Sequence, residues 1–341
     1  MKFKSFIKKN IISFDYILRN NLFKHNNLIS IFYYVRGHFN FNYKFINSYE
    51  NKSISPIFIN IFFFILRRLR SFFFIYKKIE NKTKLQKYDY LIVSHKIDTY
   101  SYDDNNDFYY GNLISNLINK QNKKVCLLLF NQTLINSSKL YKTTLKNSKL
   151  DLMLLNNRVN LLLELGLIKK LFVSFLSFLF SISKNNYYNK KIIFSSFFDE
   201  ETFNNFRIYS QFKDIFKKKF NNIIITYEGH SYERSIIRSI RELSPKTKII
   251  AYVHSALYHT QHSIYNSYGY KNDPDLILFG SRLNFKIFLT KANYNRNLVS
   301  YKILGSKKIT PYRFKRSKTN TNFLILPDGT DHDIIKLFKY I

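Results

Sequence analysis

Between residues 87 and 305, short apolar runs alternate with stretches of helix length, and this alternation constrains the chain more than any other feature. The runs are 90–94 (YLIVS), 124–130 (KVCLLLF), 191–194, 222–226, 248–253, 275–279 and 299–304. Runs this short and apolar along their whole length suit strands buried on both faces, as in a parallel sheet. The intervening segments carry helical spacing. Over 108–120, Tyr110, Leu113, Ile114, Leu117 and Ile118 fall on one face. Ser231 is placed to cap a helix over 231–243, and Ser281 to cap one running to Ala292. The order strand, helix, strand makes a βαβ unit. The pattern predicts an α/β fold over 86–306, a parallel sheet flanked by helices.

The flanks read differently. Residues 1–85 lack the alternation; they are basic, aromatic and rich in Asn, and predict a mainly helical extension. Residues 307–320 are basic and polar and contain Pro311, a linker composition. The run NFLIL after it, with the turn Pro327-Asp328-Gly329, predicts over 321–341 the truncated start of a second domain. Two apolar stretches invite a membrane reading. One is 57–76, interrupted by Arg67, Arg68 and Arg70; the other is 161–182, which carries Glu164, Lys169 and Lys170. Central charges argue against a span. Two readings stay open, buried core helices or helices lying on a bilayer with their basic side chains at the headgroups.

Charge bounds the partners. The formal net charge of +33 favours anionic lipid, nucleic acid or phosphorylated substrates. The Lys residues are spread along the whole chain with no zinc-ligand spacing or RNP-like aromatic motif, so specific nucleic-acid binding is not expected and an anionic membrane surface is. The single cysteine, Cys126, lies inside an apolar run and reads as a small buried hydrophobe. No G-x-G-x-x-G opens the first helix, and neither a P-loop nor a G-x-S-x-G elbow occurs. Asp273-Pro274-Asp275 has the outline of a D-x-D metal clamp but reads better as the entry to a strand. Neither a cofactor nor a metal is expected.

Chemistry concentrates in two segments. Tyr227-Glu228-Gly229-His230-Ser231-Tyr232-Glu233-Arg234 lies where a strand ends and a helix begins. In open α/β sheets that edge binds ligands. Gly229 permits a tight turn, and the helix start offers N–H groups to an anion or a sugar hydroxyl. His254-Ser255 follows the next strand, so Glu228 and His254 are expected at neighbouring strand ends, as an acid–base pair or as a grip on a polar ligand. Structural readings stand beside these. Glu228 also suits a helix N-terminal charge, His254 a hydrogen-bonded strand-end histidine, Glu233 a first-turn charge, and Arg234 a partner for Glu228. His95, Asp98, Asp103, Asp104 and Asp107 follow the first strand and read mostly as loop residues, with Asp107 also at a helix start. His259, Gln261 and His262 add polar groups after His254 without metal-ligand spacing.

The order of Tyr227, Glu228, Gly229, Glu233, Arg234, then His254-Ser255, Pro274-Asp275, Ser281, Ala292, Tyr294 and Gly305-Ser306 resembles a family of bacterial surface-carbohydrate (capsule or lipopolysaccharide) biosynthesis proteins similar to GT-B glycosyltransferases. The strand ending in Ser94-His95, and Asp107-Phe108-Tyr109-Tyr110-Gly111, resemble that family's first strand and helix, so the likeness spans about residues 88–341. The resemblance implies a Rossmann-like acceptor domain facing a nucleotide-sugar-binding donor domain, most of which this sequence lacks. It implies sugar transfer from a nucleotide-sugar to a glycan acceptor at the cytoplasmic face of the inner membrane. A partner chain would supply the missing domain. The candidate catalytic residues are Glu228, His254 and Asp107, and the candidate substrate contacts are Gly229, His230, Ser231, Arg234, Ser255 and Ser281. The alternative is a non-catalytic, membrane-associated polysaccharide-assembly protein without a donor domain.

Overall fold

The structure is a computed structural model that describes residues 55–72, 80–82, 87–96, 107–131, 150–155, 161–181, 198, 200–257 and 264–305. The chain divides into two units, Met1–Lys308 and Ile309–Ile341, and every described residue belongs to the first. The expected strand at 191–194, the linker and the second-domain start lie outside the described residues, as do Asp98, Asp103, Asp104, His259, Gln261 and His262.

The first unit is built on one sheet. Its strands are β1 (Glu80–Lys82), β2 (Lys87–Lys96), β3 (Val125–Asn131), β4 (Asp151–Leu155), β5 (Lys219–Thr226), β6 (Lys248–Val253), β7 (Leu276–Phe279) and β8 (Ser300–Ile303). Their spatial order is β1-β4-β3-β2-β5-β6-β7-β8. The seven strands from β2 to β8 pair in parallel, and β1 joins β4 antiparallel at one edge. The helices are α1 (Ser55–Phe72), α2 (Leu113–Asn119), α3 (Leu161–Ser181), α4 (Glu200–Ile215), α5 (Ser231–Leu243) and α6 (Arg282–Lys291). The α/β, Rossmann-like parallel sheet expected from the sequence is the architecture observed.

Side-chain alternation along the strands explains the two-layer cover. Leu91, Val93, Cys126, Leu128, Ile223, Ile225 and Ala251 pack on one face with Phe212 of α4, Ile236 and Ile240 of α5 and Phe288 of α6. Ile92, Leu127, Leu129, Leu152, Leu154 and Ile224 pack on the other with Ile114 and Leu117 of α2. Helices on both faces make every residue of β3 buried, which is why its sequence is apolar without alternation.

Three elements differ from expectation. β4 (DLMLL) and the edge strand β1 carry no clear signal, the first because it is only five residues long and the second because three polar residues (ENK) have no periodicity to read. The helix expected from Asp107 begins at Leu113 instead, because Asp107 makes a tight turn closed by the bridge between Asp107 and Gly111.

The topology selects the site. The parallel part of the sheet starts in the middle at β2, winds outward to β4, then returns to lay β5 beside β2 and winds outward the other way to β8. At such a reversal, beyond the carboxyl ends of the strands on either side of it, open α/β sheets bind their ligands.

Candidate functional site

Three strand ends supply residues at that edge: Ser94, His95 and Lys96 from β2, Thr226 to His230 at and after the end of β5, and His254 after β6. Glu228 sits at the centre. Its carboxylate meets His254 Nε2 at 3.0 Å through Oε1, and His230 Nε2 at 3.0 Å through Oε2. The two strongest candidates from the sequence are therefore in direct contact. Burial by itself would raise the Glu228 carboxyl, but the hydrogen bonds from His230 and His254 win and hold it well below the usual carboxylate range. Both imidazoles present Nε2 to a carboxylate that only accepts, so the neutral tautomer leaves the His254 lone pair on Nδ1. That Nδ1 is buried and has no hydrogen-bond partner among the described residues, and the side chain is 8% exposed.

Aromatic residues wall the pair. The Tyr109 ring stands edge-on to His254 with centroids 4.6 Å apart. The Tyr232 ring lies 5.1 Å from His230, and its hydroxyl is 3.3 Å from His95 Nε2. Burial, then the charges of Glu228 and Asp107, push the Tyr109 hydroxyl up to about 12. His95, the penultimate residue of β2, contacts Thr226 Oγ1 at 3.4 Å across the reversal. Burial, reinforced by His230 and His254, lowers it to about 4, so it is neutral at pH 7. Sequence reasoning passed over His95 as a loop residue and did not single out Tyr109 or Tyr232. The available signal for His95 was its position directly after the run YLIVS.

The turn itself is held from within. Gly229 has φ +86°, a left-handed conformation that favours glycine. Glu233, one turn into α5, folds its carboxylate back onto the backbone N–H groups of Glu228, Gly229 and His230 at 2.8–3.1 Å. Burial and the Glu228 charge push the Glu233 carboxyl up to about 8, against the downward pull of these donors. The consequence corrects one expectation: these amides are already occupied and do not await an anion. The helix cap is corrected too, since His230 is the N-cap of α5 and Ser231 is its first helical residue. Ser231 Oγ is buried without a hydrogen-bond partner among the described residues.

Other candidates have structural work. Asp107 is buried and accepts from Tyr109 N at 2.8 Å, Tyr110 N at 2.9 Å and Ser94 Oγ at 2.7 Å. These bonds fix the turn that sets Tyr109 against His254, which makes Asp107 a positioning residue rather than a base. Arg234 points away from Glu228. Its guanidinium bonds Asp273 Oδ1 at 2.7 Å, Tyr294 OH at 2.9 Å and the carbonyls of Asn272 and Asn266, among the rings of Tyr227, Tyr268 and Tyr294. This buried hub anchors the residue before Glu228 and replaces the expected substrate contact. Ser281 Oγ caps α6 by accepting from Asn284 N at 3.1 Å. Asn284 in turn donates to the Ser255 carbonyl at 2.7 Å and accepts from Leu257 N at 3.2 Å, bracing the loop that carries His254.

Asp273 and Asp275 are tied to Arg234 and Arg241 at 2.7 and 2.8 Å, so neither is arranged as a metal clamp. Among the described residues, no group of three His, Cys, Asp or Glu side chains is placed to hold a metal ion. What the arrangement can do is accept a proton at His254 Nδ1 while Glu228 orients the ring and stabilises the imidazolium. No protein-family model, no curated protein and no solved structure matches this chain, so its site is known from its own geometry.

Proposed function

We propose that this chain is the acceptor-binding part of a GT-B-type transferase that moves a sugar from a nucleotide-sugar to a hydroxyl of a surface glycan. The observation that carries the reading is the Glu228–His254 pair at the sheet reversal, with Nε2 held at 3.0 Å and Nδ1 buried and unpartnered. In the transfer, Nδ1 takes the acceptor hydroxyl's proton as its oxygen bonds the anomeric carbon of the donor sugar. The bond from that carbon to the nucleotide's phosphate oxygen breaks, and its electron pair leaves with the phosphate. Glu228 stabilises the imidazolium formed.

The Glu233 carboxylate supports the acceptor role over a donor role. With Glu228 beside it, the turn after β5 carries two carboxyl groups where a nucleotide's phosphates would need donors. A neutral, hydroxyl-rich ligand suits such a turn. On this reading the donor is held by a second domain, and the work is done by a peripheral protein at the cytoplasmic face of a membrane.

His254 Nδ1 is buried, so the surroundings of the ring must open before a hydroxyl reaches it. This closed arrangement favours the alternative, a non-catalytic polysaccharide-assembly protein. Glu228→Gln and His254→Ala distinguish the two. The transferase reading expects each to lower glycan synthesis by about 10²–10⁴-fold with the fold intact. Full activity in both variants would overturn it. Calorimetric titration of nucleotide-sugars, with and without the partner chain, tests donor use; no heat in either condition would assign the chain to the assembly role.

A further inference from the structure

Two of the charges that interrupt the apolar stretches, Arg68 and Glu164, are paired inside the protein. Arg68 of α1 bonds Glu164 of α3 at 2.8 Å and also Glu200 of α4. Arg207 of α4 bonds Glu164 and, at 3.1 Å, Glu200. The guanidiniums of Arg68 and Arg207 lie over the Phe203 ring at 4.2 and 4.7 Å. Lys170 turns inward as well, 4.5 Å above the Tyr209 ring. With these groups directed inward, the outer faces are left apolar.

Along α1, Phe58, Phe62, Leu66 and Leu69 form an exposed stripe at helical spacing, Phe58 being 68% exposed. Along α3, Leu162, Leu165, Val173 and Leu176 do the same, Leu162 being 82% exposed. Neither helix is long and apolar enough to cross a membrane. Exposed apolar faces of this kind mark an interaction surface.

Charge selects the occupant. The helices contain one acid between them, Glu164, and it is buried and paired. Arg67, half exposed and 3.8 Å from Glu200, lies beside the α1 stripe, and the exposed Lys169 falls within the α3 stripe, its long stem able to carry the ammonium to the headgroups. A second copy would bring together two chains of net charge +33, which like-charge repulsion opposes. Nucleobases could stack on the phenylalanines of α1 but offer nothing to the aliphatic stripe of α3. A surface that is apolar a few ångströms down and negative above satisfies both features. We propose that α1 and α3 form a platform that lies in the plane of an anionic bilayer, with the stripes among the acyl chains and Arg67 and Lys169 at the headgroups.

The test is partitioning of the full chain onto phosphatidylcholine vesicles with and without phosphatidylglycerol, by flotation. The expected result is at least about tenfold stronger binding with the anionic lipid, weakened by salt. A variant with Phe62→Ser, Leu66→Ser, Leu162→Ser and Val173→Ser should lose at least about tenfold in binding while keeping its circular dichroism. Equal binding to both vesicle types, or unchanged binding in the folded variant, would overturn the proposal. So would self-association that these substitutions abolish without any vesicle binding. Should the fourfold variant not fold, Leu162→Ser alone, expected to weaken binding by about threefold, decides in its place.

Discussion

The sheet edge and the α1–α3 layer are built in opposite senses. At the edge, an apolar sheet carries its polar groups outward to one end, where Glu228, His230, His254 and His95 gather beyond the strands. In the helical layer, Arg68, Arg207 and Glu164 are buried within and Phe58, Phe62 and Leu162 face out. Both arrangements satisfy the same rule, that a buried charge must be paired. The difference teaches that hydropathy reports orientation only when the environment on each side is water. Where it is not, an apolar stripe says that two faces exist and leaves open which one is inside.

The largest effect should come from breaking the inner ion network. Glu164→Gln leaves Arg68 and Arg207 with Glu200 as their remaining shared carboxylate and should cost about 3 kcal/mol in denaturant unfolding, the low end for a broken buried pair. The joint change Arg68→Met, Glu164→Leu and Arg207→Met should restore most of that loss; if it does not, the layer depends on more than charge pairing. Next comes acid. His95 is held down to about 4, below its unfolded value of about 6.5. The folded chain therefore refuses a proton that the unfolded chain accepts, and stability present above about pH 6.5 is lost as pH falls toward about 4, by up to about 3 kcal/mol. Glu228, also held low, begins its own loss only below its ordinary range. His95→Gln should flatten the upper window in pH-dependent unfolding and leave the lower one.

A smaller effect tests the turn. Gly229→Ala forces a side chain into a left-handed backbone and should cost about 1–2 kcal/mol. The smallest tests the outer face. Leu162→Ser, at a side chain 82% exposed, should change stability by less than about 0.5 kcal/mol. A large loss there would show that the stripe packs against protein and would erase the contrast between the two regions.

The legibility of the sequence follows the same division. Short, wholly apolar runs wrote β2, β3, β5, β6 and β7 plainly, and the strand–helix junctions put Glu228 and His254 on adjacent strand ends. What failed was anything decided by a side chain's direction. Arg234 lies only six residues after Glu228, yet α5 turns it toward Asp273 and Tyr294. Asp107 looked free because its three hydrogen-bond donors come partly from a strand thirteen residues earlier. Ser231 and His230 differ by one position, and only backbone torsions decide which is the cap. The partner of Arg68 is 96 residues away, beyond any local pattern.

Glu233 has a consequence for engineering. Because the chain supplies its own acceptor to the amides of 228–230, trimming that residue to alanine would leave a vacancy lined by three converging donors. The turn would then offer a receptor for small inorganic anions, by deletion rather than by design.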